Sequence, residues 1–213
     1  MQHILVYSDS LSWGIIPTTR RRQPFEARWP GVLEIALTQQ GYSVRVIEDC
    51  LNGRRTVWED PFKPGRNGLV GLAQRIEVNS PLALVMLMLG SNDFQSMHPH
   101  TAWHAAQGIA TLVGAIRQAP IEPEMPVPPI LIIAPPPFDE PRGPIAAKFT
   151  GAAAKAAGLA DAYARWPPSC AVIFSMPGRP RARARRMAFT STPNSTGLWD
   201  RRWRVASPGC PAC

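Results

Sequence analysis

Short apolar runs alternate with helical stripes along the first 165 residues. His3–Tyr7 is an apolar run that ends at Ser8-Asp9-Ser10, the pattern of a buried strand entering a turn. Trp29-Pro30-Gly31 opens a helix through Gln40, with Val32, Leu33, Ile35, Ala36 and Leu37 as its apolar positions. Proline suits the first turn of that helix, and Gly41 is its predicted stop. Ser43–Glu48 alternates as a second strand. Asn67 is predicted to cap a helix carrying Leu69, Val70, Leu72, Ala73 and Ile76, which ends before Pro81. Leu82–Leu89 is continuously apolar, as a strand covered on both faces requires. Thr101 can cap a helix to about Ala119, with Ile109, Leu112, Val113 and Ile116 at helical spacing. After a proline-rich surface loop over 119–129, Ile130–Ala134 reads as a fourth strand, halted by Pro135-Pro136-Pro137. An alanine-rich helix is predicted over Ile145–Arg165.

Four strand–helix alternations predict an α/β fold with a parallel sheet. Such a sheet carries its chemistry at the C-terminal ends of its strands, where Ser10, Cys50 and Asn92 all fall. A serine just after the first strand, at a helix N-terminus, is placed where negative charge can be stabilised. Spacing alone leaves helix capping as an equal alternative for Ser10.

Composition changes this picture at one place. The 213 residues, 45% hydrophobic, most simply form one domain with a proper core. No apolar run approaches the roughly 18 residues of a membrane span. The N-terminus has no basic segment followed by a long apolar one, so no secretory signal is expected. Cys50, Cys170, Cys210 and Cys213 form neither a zinc-like double pair nor a regular disulfide framework, and a reduced, cytoplasmic protein is the default expectation. The net charge of +8 is unevenly spread. Residues 1–165 hold 15 basic and 14 acidic side chains, whereas 166–213 hold eight arginines, one acid and three of the four cysteines. The basic character belongs to the tail, not to the domain.

Three ordered segments carry a resemblance. Tyr7-Ser8-Asp9-Ser10-Leu11-Ser12-Trp13-Gly14 resembles F-G-D-S-L-T-W-G, the first block of the SGNH (GDSL-type) hydrolases in their arylesterase/acyltransferase branch. Glu48-Asp49-Cys50-Leu51-Asn52-Gly53-Arg54-Arg55-Thr56 resembles the second block, and Pro81–Asp93, ending Gly90-Ser91-Asn92-Asp93, the third. The proline run after the fourth strand also matches, so the resemblance covers residues 1 to about 165. It implies a flavodoxin-like three-layer α/β/α sandwich. It further implies a serine esterase in which Ser10 attacks a small or aryl ester, transferring the acyl group to water or to an alcohol without metal or cofactor. Donors to the oxyanion would be the backbone N–H groups of Ser10 and Cys50 and the side-chain amide of Asn92, each worth roughly 3–4 kcal/mol in serine hydrolases. Trp13 is implied as part of the substrate pocket wall, with burial in the core as the equal alternative. Relatives in this branch form oligomers, so a homo-oligomer is one option; a chain lacking the last strand and helix is instead expected to expose core surface.

The chain departs from the family at Ser8 and Cys50, where glycine is usual. If either position needs φ > 0, its side chain costs on the order of 1 kcal/mol or more. As a nucleophile itself, Cys50 has no motif and no basic partner in its favour. The larger departure concerns the base. A serine hydroxyl needs a histidine oriented by a carboxylate, which the family supplies in a D-x-x-H block near the C-terminus. Here no histidine follows His104, so the catalytic Asp and His are not present.

Codon degeneracy suggests why. Met187-Ala188-Phe189-Thr190-Ser191-Thr192-Pro193 requires ATG-GCN-TTY-ACN, a serine codon, ACN and CCN. Begun one base earlier, with TCN for serine, these bases permit Asp-Gly-Ile-His-Leu-Asp-Ala, the way the family's last block reads. The same shift across Ser175-Met176-Pro177-Gly178 permits Asp-Ala-Gly, and at Trp166 it permits Val-Ala. Residues from about Trp166 onward therefore read as a shifted frame, for which a sequencing error, a pseudogene and an artefact are equal sources. Taken as a polypeptide, this Arg- and Pro-rich tail, with seven prolines, is expected to be disordered, although Ala171–Phe174 can pass as a fifth strand.

Beside the esterase stand a catalytically inactive remnant of one and two further readings. His98, His100 and His104 follow Asn92, and one of them can be imagined as a substitute base, or the three as metal ligands. Arg179–Arg186 has the form of a basic arm for nucleic acid, but no aromatic or base-reading pattern accompanies it.

Overall fold

A strand of alternating apolar residues buried on both faces needs a helical layer on each side, and that is what forms. The computed structural model describes residues 1–165, apart from Thr18 and Glu140, and the backbone of Ala171–Ser175. The Arg- and Pro-rich remainder of 166–213, including the basic run Arg179–Arg186 and the expectation of disorder, lies outside the described residues.

In chain order the elements are β1 (Gln2–Ser8), α1 (Ser10–Trp13), α2 (Trp29–Gln39), β2 (Val44–Cys50), α3 (Leu72–Asn79) and β3 (Leu84–Met88). There follow α4 (Ala102–Arg117), β4 (Ile130–Ala134), α5 (Ala152–Lys155), α6 (Leu159–Arg165) and β5 (Ala171–Ser175). The five strands are parallel in the order β2-β1-β3-β4-β5, the flavodoxin-like arrangement. β5 fills the fifth place with Ala171 opposite Ile130 and Ser175 opposite Ala134.

Period-two alternation divides β1 to β4 between two cores. Leu5, Tyr7, Val85, Leu87 and Ile132 pack with Leu72 and Ile76 of α3, Ile109 and Leu112 of α4, and Tyr163 of α6. Ile4, Val6, Val46, Met86 and Met88 form the other core, which Trp29, Leu33 and Leu37 of α2 cover.

The local predictions hold in outline, with two corrections. Leu69 and Val70 do not join α3: Asn67 instead accepts the Leu69 N–H at 2.9 Å in a turn, and Gly71, at φ 74°, precedes the helix. The single helix expected over Ile145–Arg165 is broken into short 3₁₀ turns, α5 and α6. Alanine favours helix, but Gly151 and Gly158 both sit at φ 74°, and a left-handed residue ends the ladder of hydrogen bonds.

The break lets α6 approach the working end of β3. The buried Tyr163 hydroxyl donates to the Leu89 carbonyl at 2.9 Å. Gly90 has φ 111°, and a Cβ there would lie 2.2 Å from the Tyr163 oxygen. Tyr163→Phe is expected to lower the unfolding free energy by about 1–3 kcal/mol, since it removes one partner of a buried hydrogen bond. Gly90→Ala should cost more, and Tyr163→Phe should recover part of that loss in the double variant. Urea unfolding of the three variants checks this; additive losses would show that Gly90 and Tyr163 do not compete for the same space.

Candidate active site

The turn that carries Ser10 is organised by its neighbour, Asp9. Asp9 Oδ1 accepts the Leu11 N–H at 2.9 Å and so caps α1, which closes at Gly14. Ser10 is the first residue of that helix and is partly exposed. Its hydroxyl and its backbone N–H make no hydrogen bond among the described residues. Capping, the alternative role for Ser10, thus falls to Asp9.

Neither Ser8 nor Cys50 has positive φ, so the side chains at these two departures cause no backbone strain. What they need is space and partners. The buried Ser8 hydroxyl donates to the Met88 carbonyl at 2.7 Å and accepts from Ser12 Oγ at 2.5 Å. Trp29 Nε1 donates to Ser12 Oγ at 3.0 Å, which links α2, α1, β1 and β3 through one chain of hydroxyls.

Cys50 ends β2, opposite Ser8 on β1. The Leu51 N–H donates to the Ser8 carbonyl at 3.0 Å, and ladder amides alternate sides along a strand. The Cys50 N–H therefore points off the sheet edge, as does that of Val46, which donates to Glu34 Oε2 at 2.6 Å. Burial, with Glu48 nearby, pushes the Cys50 thiol up to about 12, which leaves it protonated and inert as a nucleophile.

Asn92 lies in a 3₁₀ turn, Ser91–Phe94, directly after β3. Its Nδ2 donates to Asp9 Oδ2 at 3.0 Å and to the Arg54 carbonyl at 3.2 Å, and Ser91 Oγ also donates to Asp9 Oδ2. The ends of β1, β2 and β3 are thereby held together, with Ser10, Cys50 and Asn92 on the segments so joined. Burial raises the Asp9 carboxyl to about 6, while hydrogen bonds from Ser91 and Leu11, the charge of Arg54 and the Asn92 amide pull it only part of the way back. Arg54 lies over the Tyr7 ring at 3.9 Å and donates to the Ser8 carbonyl at 3.0 Å and to Asp49 Oδ1 at 2.6 Å.

Trp13 packs against the core around Met86 and Met88, and it also borders an open groove with Cys50, Leu51, Arg54 and Arg22. The indole is half-buried, set between that core and the groove. Charged pairs line the groove: Arg22 with Glu48 at 2.7 Å, and Arg75 with Asp49 at 2.5 Å.

The three histidines are occupied elsewhere. His104 Nδ1 accepts the Thr101 N–H at 3.1 Å and completes the cap of α4. His98 meets Arg55, and His100 stacks on Trp58 with ring centroids 4.1 Å apart. The metal alternative is corrected: among the described residues no group of three or more His, Cys, Asp or Glu is placed to hold a metal ion. No histidine bonds Ser10: His104 caps α4, His98 meets Arg55, and His100 is stacked between Trp58 and His98.

Sequence reasoning passed over Asp9, Ser91, Arg54, Arg55 and Gln95. The available signal was polarity inside the three blocks: Asp9 and Arg55 occupy stretches that the fold buries completely.

No family model matches the chain. A curated arylesterase from Vibrio mimicus is 35% identical over 92 residues, 43% of this chain, and the chain spans 38% of that relative's length. A carbohydrate acetylesterase family member from Sinorhizobium meliloti superposes with a TM-score of 0.75 at 37% identity, covering 82% of this chain and 83% of the other. The inhibitor-bound aryl esterase of M. smegmatis gives 0.71 at 32% identity, covering 77% and 78%. With the parallel 2-1-3-4-5 sheet and the three sequence blocks at its working edge, the chain belongs to the SGNH hydrolases, in their arylesterase-like branch.

Proposed function

We propose that this scaffold is that of an ester hydrolase working through an acyl-Ser10 intermediate. The observation that carries the reading is the bond from Asn92 Nδ2 to Asp9 at 3.0 Å, which holds an amide donor beside the turn presenting Ser10. In the reaction, Ser10 Oγ attacks the ester carbonyl, and the tetrahedral oxyanion takes hydrogen bonds from the Ser10 N–H and the Asn92 amide; the Cys50 N–H, which points off the far edge of β2, does not join them. Collapse expels the alcohol and leaves acyl-Ser10, which water or a second alcohol then attacks. To donate, Asn92 exchanges its 3.2 Å bond to the Arg54 carbonyl for the oxyanion. Trp13 is the wall for the substrate, with the charged groove beside it suited to a polar alcohol portion. Among the described residues, no helix is long and apolar enough to cross a membrane.

The missing part is the base. The shift in composition at about residue 166, together with three codon matches, supports a frame in which the D-x-x-H block is restored. As written, the chain keeps the nucleophile and oxyanion donors and should be an impaired esterase. Losing the base while keeping the oxyanion donors leaves on the order of 10³–10⁴-fold acceleration over water. The given chain is expected to hydrolyse p-nitrophenyl acetate about 10⁴-fold or more slowly than the frame-restored chain, and Ser10→Ala should slow the latter by a comparable factor. Equal turnover in both frames would mean that the base lies within residues 1–165.

Asp9 generates a second prediction. Its folded carboxyl titrates at about 6 and its ordinary value is 3.8, so the folded state holds the proton more tightly than the unfolded one. Its contribution is complete below about pH 4 and declines as pH rises through 6. The stability of the wild type relative to Asp9→Asn should therefore fall by up to about 3 kcal/mol between pH 4 and pH 7. Urea unfolding of both proteins at each pH reads this, and a flat difference would contradict the raised titration.

A further inference from the structure

Asn92 helps an oxyanion only if its amide nitrogen, not its oxygen, faces the nucleophile turn. The two ends of the amide have the same shape, so packing alone does not choose between them. A chain of buried groups does. Arg55 is fully buried, and a guanidinium has donors but no acceptor. It is pinned by Asp60 at 3.0 Å and by the Glu59 carbonyl at 2.5 Å. Arg55 Nη2 meets the Gln95 side chain at 2.6 Å, which obliges Gln95 to turn Oε1 toward it. Gln95 Nε2 then faces Asn92 at 3.1 Å, so Asn92 must offer Oδ1 there. That leaves Nδ2 for Asp9 Oδ2 and the Arg54 carbonyl, neither of which offers a hydrogen when Asp9 is ionised.

We propose that Arg55 and Gln95 are positioning residues that set the polarity of the Asn92 amide and keep its NH₂ end toward the Ser10 turn. The proposal rests on the reading of Asn92 as an oxyanion donor. Reversing the amide would set two donors against each other at Gln95 and an oxygen against the Asp9 carboxylate. Gln95 and Asp9 have no exposure and Asn92 has 6%, so water does not step in to satisfy a reversed amide. The charge of Arg55 is in this way converted, through two neutral amides, into a directed donor about three hydrogen bonds away.

Gln95→Glu is the discriminating variant. It keeps the shape of the side chain and its bond to Arg55, but it presents only acceptors, so it should draw the Asn92 NH₂ group to itself. The test uses the full-length chain labelled with ¹⁵N-asparagine, with the Asn92 side-chain signal assigned by its loss in Asn92→Ala. In the wild type the Nδ2 protons should show contacts to Ser91, and in Gln95→Glu these should move to Glu at position 95. Acetylation of Ser10 by p-nitrophenyl acetate, read by intact mass, should slow on the order of 10²-fold in both Gln95→Glu and Asn92→Ala. Gln95→Ala, which leaves the amide free to take either orientation, should slow less. Gln95→Glu should add no further loss in the Asn92→Ala background. If the Nδ2 protons keep their Ser91 contacts in a folded Gln95→Glu protein, the polarity proposal is overturned. If Asn92→Ala does not slow acetylation, the oxyanion reading fails instead, while the amide contacts still decide the polarity. A merely structural Gln95 would make the alanine variant the worse of the two in both stability and rate, which also overturns the proposal.

Discussion

A carboxylate without access to water sits between the ends of β1 and β3, and the geometry of the site follows from satisfying it. Asp9 takes hydrogen bonds from the Leu11 N–H, Ser91 Oγ and Asn92 Nδ2. An unpaired buried carboxylate would cost several kcal/mol, so each of these donors is held where the carboxylate needs it. The first fixes the start of α1 and therefore the placement of Ser10. The other two fix the turn after β3 and therefore Asn92. One ionisable group thus couples the Ser10 turn to Asn92, across the point where the strand order reverses from β1 to β3.

A second buried carboxylate does comparable work one layer deeper. Asp93 accepts from the Thr56 N–H at 3.0 Å and from the Thr56 hydroxyl at 2.5 Å, and burial raises it, too, to about 6. Thr56 fits there because Gly108 of α4 has no side chain; a Cβ would lie 2.2 Å from Thr56 Oγ1. The segment after β2 is stapled in this way to the turn after β3, with α4 packed behind both. The arginines belong to the same logic. Arg54 and Arg55 are adjacent in sequence and point into different networks, one toward Asp49 and Ser8, the other toward Asp60 and Gln95. Each brings a positive charge near a buried acid without pairing with it directly, so Asp9 and Asp93 keep raised titrations.

The fold was legible because hydrophobic periodicity reports burial on each face. Leu82–Leu89 could only be a doubly covered strand, and Ile130–Ala134 matches its observed bounds residue for residue. The segment over 145–165 was misread because alanine content signals helix, while two glycines in left-handed backbone override it. The placement of Ser10, Cys50 and Asn92 at strand ends was legible from the order of the blocks. The network behind them was not. Gln95, read alone, is one more polar residue after a turn; its meaning lies in bonds to Arg55, forty residues away, and to Asn92. Nor was it legible that Ser8 would find a place in the sheet, since that depends on Ser12 and Trp29 supplying a hydroxyl chain.

Oxyanion stabilisation and proton transfer make different demands on the chain. On the proposed reading the donors are the Ser10 N–H after β1 and the Asn92 amide after β3, the latter held by its bond to Asp9. They are preorganised by the fold and need no group from the C-terminal segment. The base is a single side chain that the family delivers from near the C-terminus, after the last strand. A change confined to that segment can therefore remove the base and leave the Asn92 amide held, because among the described residues the side-chain hydrogen bonds of the Asp9–Asn92–Gln95–Arg55 chain run no further along the sequence than His98. On the proposed reading the site is modular in the physical sense: the orientation of the Asn92 amide is built into the sheet edge, whereas the D-x-x-H block that would activate Ser10 is a separate element that this sequence does not contain.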